Sequence, residues 1–466
     1  MFATIIDWLN TALYSYVLII LLILGGIFFT VRTRFAQFRL LGKQFKAVTE
    51  KNGSGVSSFQ ALMVSTASRV GTGNIIGVAT ALCVGGFGSV FWMWVIAIIG
   101  GATAFVESTL AQIYKKRGKD GCYGGPAYYI EAAFKGKKGV AILFTVFLIL
   151  TYGIGFNMLA SYNLQSTFSI YSFYNADITP WIIGFVIAAL VCYCLMGGGK
   201  RIVSVTGILV PIMGALYILV ALVLVILNAK MLPDVFRQIF VGAFDFRAIF
   251  GGFGGSCVMY GIKRGLFSNE AGVGSAPNAA ASADIDHPVK QGLVQTLSVF
   301  IDTIVVCSAT AFMCMTSGVT PPTTSAEAAS YVQASLSVTL GGVGPIFITV
   351  AMVLFAFTTL LGNLFYVDKA INYLLGKEPT KLVRNICYVV ASLIIFVGAG
   401  LSADMLWNIA DVLMGGMTII NIPVILYLGK YAYRALRDYE HKSAEGLKMT
   451  FHKKDIGLTD ETDYWN

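Results

Sequence analysis

The sequence predicts an all-α polytopic membrane protein, and three observations point to it. The 466-residue chain is 56% hydrophobic and only 12% charged, whereas soluble domains are about a quarter charged. Long apolar stretches recur from residue 12 to residue 428, most of them at or above the approximately 17–25 residues that carry a helix across the hydrocarbon. The connections between these stretches alternate between rich and poor in Lys and Arg. Arg32, Arg34, Arg39, Lys43, Lys46 and Lys51 occupy the first connection; Lys115, Lys116, Arg117, Lys119, Lys135, Lys137 and Lys138 occupy the third. Lys200 with Arg201, Lys290, and then Lys369, Lys377, Lys381 and Arg384 continue the same side, against Lys230, Arg237 and Arg247 on the other. That is the positive-inside pattern of a multi-pass inner-membrane protein with its N-terminus outside and its C-terminus in the cytoplasm.

Taken in order, the expected membrane helices are eleven: 12–31, 59–84, 88–113, 139–167, 179–197, 203–228, 247–275, 288–316, 343–372, 383–400 and 405–428. The first reads as a retained span and not a cleaved signal, because Asp7 precedes it and basic residues follow it. Residues 229–246 form an outer loop. Residues 317–342 are too polar to span, with a short helix over Ser325–Leu336. From Tyr431 to Asn466 the chain is charged, helical at first and then loosely ordered.

Composition excludes several functions. The +9 net charge sits on loops beside an anionic leaflet, with no aromatic-interleaved basic patch for nucleic acid. The eight cysteines include no Cys-x-x-Cys pair, so neither a disulfide framework nor a zinc site is expected. His287, His441 and His452 lack ligand spacing. No Gly-x-Ser-x-Gly elbow, phosphate loop or His-Glu-x-x-His occurs, so the chain reads as neither an enzyme nor an ATP-driven pump.

Two spans are poor helices. The second contains Ser68-Arg69-Val70-Gly71-Thr72-Gly73-Asn74-Ile75-Ile76-Gly77; the seventh contains Gly254-Gly255-Ser256 and then Lys263 through Ser275, with Gly265, Gly272 and Gly274. Each glycine lowers helix propensity by about 1 kcal/mol. A break inside lipid is tolerated only where the freed backbone groups are buried in protein or line a cavity. Breaks are therefore expected near residues 71–74 and 265–272. With the first span set aside, spans 2–6 and 7–11 make two groups of five, each opening on a broken helix and one inverted relative to the other. That is the pattern of a secondary transporter with a midplane site. It divides the chain into an extra helix (1–35), two repeats (36–230 and 231–430) and a cytoplasmic tail (431–466). The competing explanation, close helix packing, suits Gly153, Gly155, Gly197, Gly198, Gly199 and Gly214.

Half-helix ends offer amides to a carboxylate and carbonyls to a cation, which fits a small zwitterion. Thr72, Gly73 and Asn74 are the candidates for the carboxylate side, and Phe267, Ser268 and Asn269 complete the pocket. Thr358 and Thr359, deep in span 9, facing the backbone of the first break at Gly71, suit Na⁺; back-bonding to the preceding turn is the alternative. Glu107, Asp302 and Glu270 lie at membrane depth, where a carboxylate is functional or firmly paired. Glu107 and Glu270 are expected to hold orphan amides of a broken helix, and they are the first suspects if the coupling ion is H⁺. Arg69 and Lys263-Arg264 are placed near the cytoplasmic side, as a salt-bridge gate or as snorkelling side chains.

At these residues the chain resembles the alanine/glycine:cation symporter family, the sodium:alanine symporters of bacteria and archaea. The matching stretches are Gly71-Thr72-Gly73-Asn74-Ile75-Ile76-Gly77-Val78-Ala79, Gly85 to Trp94, Gly124-Gly125-Pro126-Ala127-Tyr128-Tyr129-Ile130 and Gly261 to Pro277. Phe87 stands where relatives usually have proline. The resemblance implies the five-plus-five inverted-repeat core of the bacterial leucine transporter with one extra N-terminal helix. It implies uptake of glycine and L- or D-alanine with Na⁺, rarely H⁺, and it adds Gln165, with Asn269, as polar contacts of the amino acid. Expected partners are alanine, glycine, Na⁺ and membrane lipid, with no cofactor, nucleic acid or obligatory protein partner. A proton-coupled symporter is the nearest alternative. A channel or amino-acid sensor on the same scaffold fits less well, because the polar groups cluster at two breaks and do not line a continuous pathway.

Overall fold

The computed structural model describes residues 2–50, 55–118, 121–245, 256–460 and 462–465. Among the described residues eight helices are long and apolar enough to cross a membrane, or nine when the two halves of one bent helix count as a single span. In chain order they are α1 (Thr4–Arg32), the bent α2 (Ser58–Arg69 and Gly73–Gly85), α3 (Ser89–Ile113) and α4 (Gly139–Ser166). A shorter apolar helix follows as α5 (Thr179–Leu195), then α6 (Gly198–Leu227). The 13-residue α7 (Cys257–Asn269) precedes α8 (Pro288–Met315), α9 (Val343–Leu375), α10 (Lys381–Gly398) and α11 (Ala403–Ala444).

Several starts are set by local chemistry. Ser57 caps α2 in a reciprocal box, its Oγ accepting from the Gln60 amide (3.1 Å) while the Ser57 amide donates to Gln60 Oε1 (3.0 Å), which satisfies two donors a helix start leaves open. Ser256 caps α7 and Thr380 caps α10 in the simpler way. His287 accepts from the Val289 amide at the start of α8 and bonds Asp438, so this histidine is structural.

Burial sorts the helices into layers. In α3 every residue from 100 to 113 is buried, and in α8 every residue from Pro288 to Val299. Helices α3, α7 and α8 pack on one another most extensively and surround the break in α2. Helices α5, α6 and α10 instead expose large apolar side chains, among them Phe185, Ile208, Leu219 and Leu393. A soluble surface has no use for such a band, and lipid does.

The structure corrects four expectations. The first span begins near Thr4, not residue 12. The outer loop 229–246 contains the helix Leu232–Ala243, which packs on α3 through Phe240 against Phe91 and through the Trp92 indole N–H on the Ala243 carbonyl (3.1 Å). The chain beyond α11 is packed and not loose: Phe451, Ile456, Leu458 and Trp465 are buried. Among the glycines, Gly153 and Gly155 do face neighbours (Val367 and Leu413), but Gly199 and Gly214 face open space and Gly198 turns the chain at φ +70°. The expected start of the seventh span at 247, with Gly254 and Gly255, lies outside the described residues.

One glycine contact decides how α9 meets α2. A Cβ on Gly362 would lie 2.6 Å from the backbone nitrogen of Ser68, whereas one on Gly207 of α6 would meet nothing within 4 Å. Gly362→Ala is expected to lower thermal stability in detergent, by about 1–3 kcal/mol. Gly207→Ala should be neutral or slightly stabilising; equal melting shifts in the two variants would contradict this packing.

Candidate functional site

Helix α2 ends its first half at Arg69, turns through residues 70–72 and resumes at Gly73, bent by 50°. The expected break at 71–74 is therefore present. The side chain of Asn74 closes the turn: its Oδ1 accepts from the Gly71 amide (2.8 Å), and the Asn74 amide donates to the Gly71 carbonyl (3.1 Å). Its Nδ2 reaches Asp302 Oδ1 (2.7 Å) on α8 and Ser268 Oγ (3.0 Å) on α7. Thr310 of α8 donates to the Asn74 carbonyl (2.7 Å). One asparagine thus ties the broken helix to two others.

The second break begins within the expected 265–272, at Glu270, and runs on beyond it. Helix α7 continues through Asn269, and the chain then runs without regular helix to a single short turn, Pro277–Ala280. Gly265 is inside the helix, where a Cβ would come within 2.5 Å of Ile96 on α3; that glycine serves packing. The break belongs to Glu270 (φ +54°), Gly272 (φ +90°) and Gly274 (φ +87°), backbone conformations that glycine reaches without strain. Phe267, Ser268 and Asn269 accordingly form the last turn before the break.

Buried carboxylates hold both breaks. Glu107 of α3 accepts from the Gly272 amide (3.3 Å) and from Asn421 Nδ2 of α11 (2.9 Å), while Asn421 also donates to the Gly272 carbonyl (3.0 Å). Glu270 accepts from Ser68 (2.9 Å) at the first break and Ser275 (2.6 Å) at the second. Asp302 accepts from Ser268 (2.5 Å) and Thr303 (2.8 Å) as well as Asn74. Arg69 is 1% exposed, donates to Gln295 (3.1 Å), and lies within electrostatic reach of all three carboxylates. Among the described residues this buried centre gathers three carboxyl groups around one guanidinium.

The two threonines of α9 separate. Thr358 donates back to the Leu354 and Phe355 carbonyls (3.0 and 3.2 Å), the back-bonding alternative. Thr359 sits against Gly71, where any Cβ would overlap its Oγ1, and that oxygen is buried without a hydrogen-bond partner among the described residues. Thr72 Oγ1 accepts from Asn163 of α4 (3.3 Å). Asn269 Oδ1 accepts from the Ala271 amide (3.0 Å) and leaves its Nδ2 buried and unpartnered. Phe267 stands between Phe156 (4.5 Å) and Trp407 (4.9 Å), with its ring edge 2.7 Å from where a Cβ on Gly73 would be. Gln165 is not tied to this group; its Oε1 accepts from Tyr174 (2.9 Å).

Lys263 and Arg264 are not beside Arg69. Helix α7 starts at Cys257, so both precede the break, at the end of the molecule where α1 begins. Arg264 pairs with Asp411 (2.5 Å) and stacks on Trp407 (4.0 Å), and Lys263 donates to Asn10 (2.6 Å). Asn421, Asn163, Trp407 and Ser68 also join this group, beyond the residues expected from the sequence. Asn421 had a signal, a lone amide within the apolar run Ile419–Ile425; Ser68 and Trp407 had none that set them apart.

Removing the Asn74 side chain strips a bond from the buried Gly71 amide and another from Asp302. Asn74→Ala is expected to destabilise the fold by about 2–3 kcal/mol, seen as a lowered melting temperature in detergent. Unchanged melting would show that other groups close the turn.

Residues 1–453 match the sodium:alanine symporter family. The chain is 40% identical to the amino-acid carrier protein AlsT of Bacillus subtilis, covering all of this chain and 98% of that one. It is 40% identical to the probable sodium/glutamine symporter GlnT of Bacillus subtilis, covering 95% and 92%. With the sodium/alanine symporter AgcS of Methanococcus maripaludis the identity is 38%, covering 95% of this chain and 100% of the other.

Proposed function

This chain belongs to the sodium:alanine symporter family, and from that premise we propose that it carries small neutral amino acids, alanine and glycine, across the membrane together with Na⁺ by alternating access. It is a secondary transporter, not an enzyme, with Na⁺ as its coupling ion. The observation that supports this reading most is Thr359 Oγ1, buried, unpartnered and set against Gly71 at the first break. A hydroxyl and backbone carbonyls suffice for a monovalent ion.

In the proposed arrangement Na⁺ joins the Gly71 turn of α2 to Thr359 of α9. The first-turn amides of Thr72 and Gly73, which have no partner within their own helix, receive the carboxylate, with Asn74 holding their geometry. Ser268 and Asn269 face the ammonium and polar side of the amino acid, and Gln165 joins them once Tyr174 releases it. Phe156, Phe267 and Trp407 wall the side-chain pocket. Glu107 and Glu270 brace the breaks. Helices α1 to α11 make eleven spans, α2–α6 and α7–α11 being two inverted repeats within 36–230 and 231–430. The chain sits in the inner membrane with the start of α1 outside and the end of α11 in the cytoplasm.

Uptake into proteoliposomes tests this directly. An inward Na⁺ gradient should drive alanine and glycine accumulation, and leucine and phenylalanine should fail to compete. Glutamine is the decisive competitor, since one relative of equal identity is named for it; uptake of glutamine or leucine as efficient as that of alanine would refute the small pocket. Accumulation driven by a pH gradient without Na⁺ would replace Na⁺ by H⁺.

The two assignments also separate by mutation. Thr359→Val should raise the Na⁺ concentration for half-maximal alanine binding at least tenfold while leaving alanine affinity at saturating Na⁺ within about threefold. Asn269→Ala should show the reverse balance. An unchanged Na⁺ requirement in Thr359→Val would place the cation elsewhere.

A further inference from the structure

The residues beyond α11 are docked on the inner ends of the two broken helices. Just before α2, the Val56 carbonyl accepts from the Asp284 amide (2.9 Å), so the chain entering one broken helix pairs with the chain leaving the other. Gln112 and Lys115, at the inner end of α3, hold the same stretch. Gln112 Nε2 donates to the carbonyls of Ala280 (2.5 Å) and Ala283 (3.0 Å), and Lys115 Nζ donates to Ala283 (3.0 Å).

Over this junction lie residues 449–460 and 462–465. The Trp465 indole N–H donates to the Gln112 carbonyl (2.7 Å), and Lys115 is sandwiched against the rings of Tyr464 (3.8 Å) and Trp465 (4.9 Å). Tyr464 OH donates to Asp284 (2.8 Å), Asp460 accepts from Tyr114 (2.8 Å), and Asp463 accepts from the Arg117 amide (2.7 Å). The other end is anchored on the α11 extension, where Arg434 donates to the Ile456 carbonyl (2.9 Å) and Lys442 bonds Asp455 (2.9 Å). A loosely draped segment would not bury Phe451, Ile456, Leu458 and Trp465.

We propose that residues 449–460 and 462–465 form a strap that holds the cytoplasmic passage closed, by pinning the Ala280–Asp284 stretch to α3 and to α11, and that the strap must loosen for solute to leave inward. The inference rests on the alternating-access reading, because only a carrier needs that junction to open. Tyr464, Trp465 and Lys115 are positioning residues; none touches the proposed amino-acid or Na⁺ site.

Amide hydrogen exchange on the purified full chain reports the junction without any transport assay. Trp465→Ala and a variant lacking residues 449–466 should exchange about tenfold faster at residues 280–286 and 55–58, with α5 and α10 unchanged. Tyr464→Phe, which removes only the hydroxyl on Asp284, should give a smaller increase at the same residues. In proteoliposomes the strap variants should need about two- to tenfold more external alanine for half-maximal uptake, because fewer molecules face outward. Unchanged exchange at the junction overturns the strap, and faster exchange with unaltered uptake kinetics overturns its role in gating. A general rise in exchange that includes α5 and α10 in all three variants also overturns it, since the segment would then support the whole fold. Wild-type protein that transports nothing would refute the symporter reading instead, independently of the exchange result.

Discussion

A helix interrupted inside hydrocarbon frees amides and carbonyls that lipid cannot satisfy, and each group left bare costs several kcal/mol. Much of this interior answers that demand at two places. Asn74 closes the first gap on Gly71, and Glu107 with Asn421 closes the second on Gly272. Glu270, through Ser68 and Ser275, makes the two gaps one connected network. The first break shares hydrogen bonds with α7 and α8, and the second with α3 and α11.

Charge follows the same geometry. Around the breaks, Glu107, Glu270 and Asp302 gather near Arg69, whereas toward the start of α1, Lys263 and Arg264 gather around Asp411. Trp407 touches both regions, stacking on Arg264 and meeting Phe267 edge-on.

The first break was legible because glycines, a threonine, an asparagine and an arginine coincide in an otherwise apolar stretch. The second was bounded only coarsely, because the sequence does not distinguish a glycine that admits a neighbour, Gly265 against Ile96, from one that turns the chain, Gly272 and Gly274. Thr358 and Thr359 are adjacent and identical in kind; only the rotation of α9 decides that one back-bonds and the other faces Gly71. Asn421 acts on a break 149 residues away, a partnership with no local trace. The packed segment after α11 escaped notice because its four apolar anchors are scattered among charges. The polytopic, mostly helical character was more accessible, since hydropathy answers to the bilayer alone.

The central claim is that one cation at the Gly71–Thr359 junction and one amino acid at the same break stabilise a common arrangement. Linkage then requires each to raise the affinity of the other by the same factor. Calorimetric titration of the purified protein, alanine across a series of Na⁺ concentrations and Na⁺ across a series of alanine concentrations, measures both factors. Equal factors above about tenfold are expected. Alanine affinity that does not change with Na⁺, or binding with no reciprocal effect on Na⁺, would contradict the account.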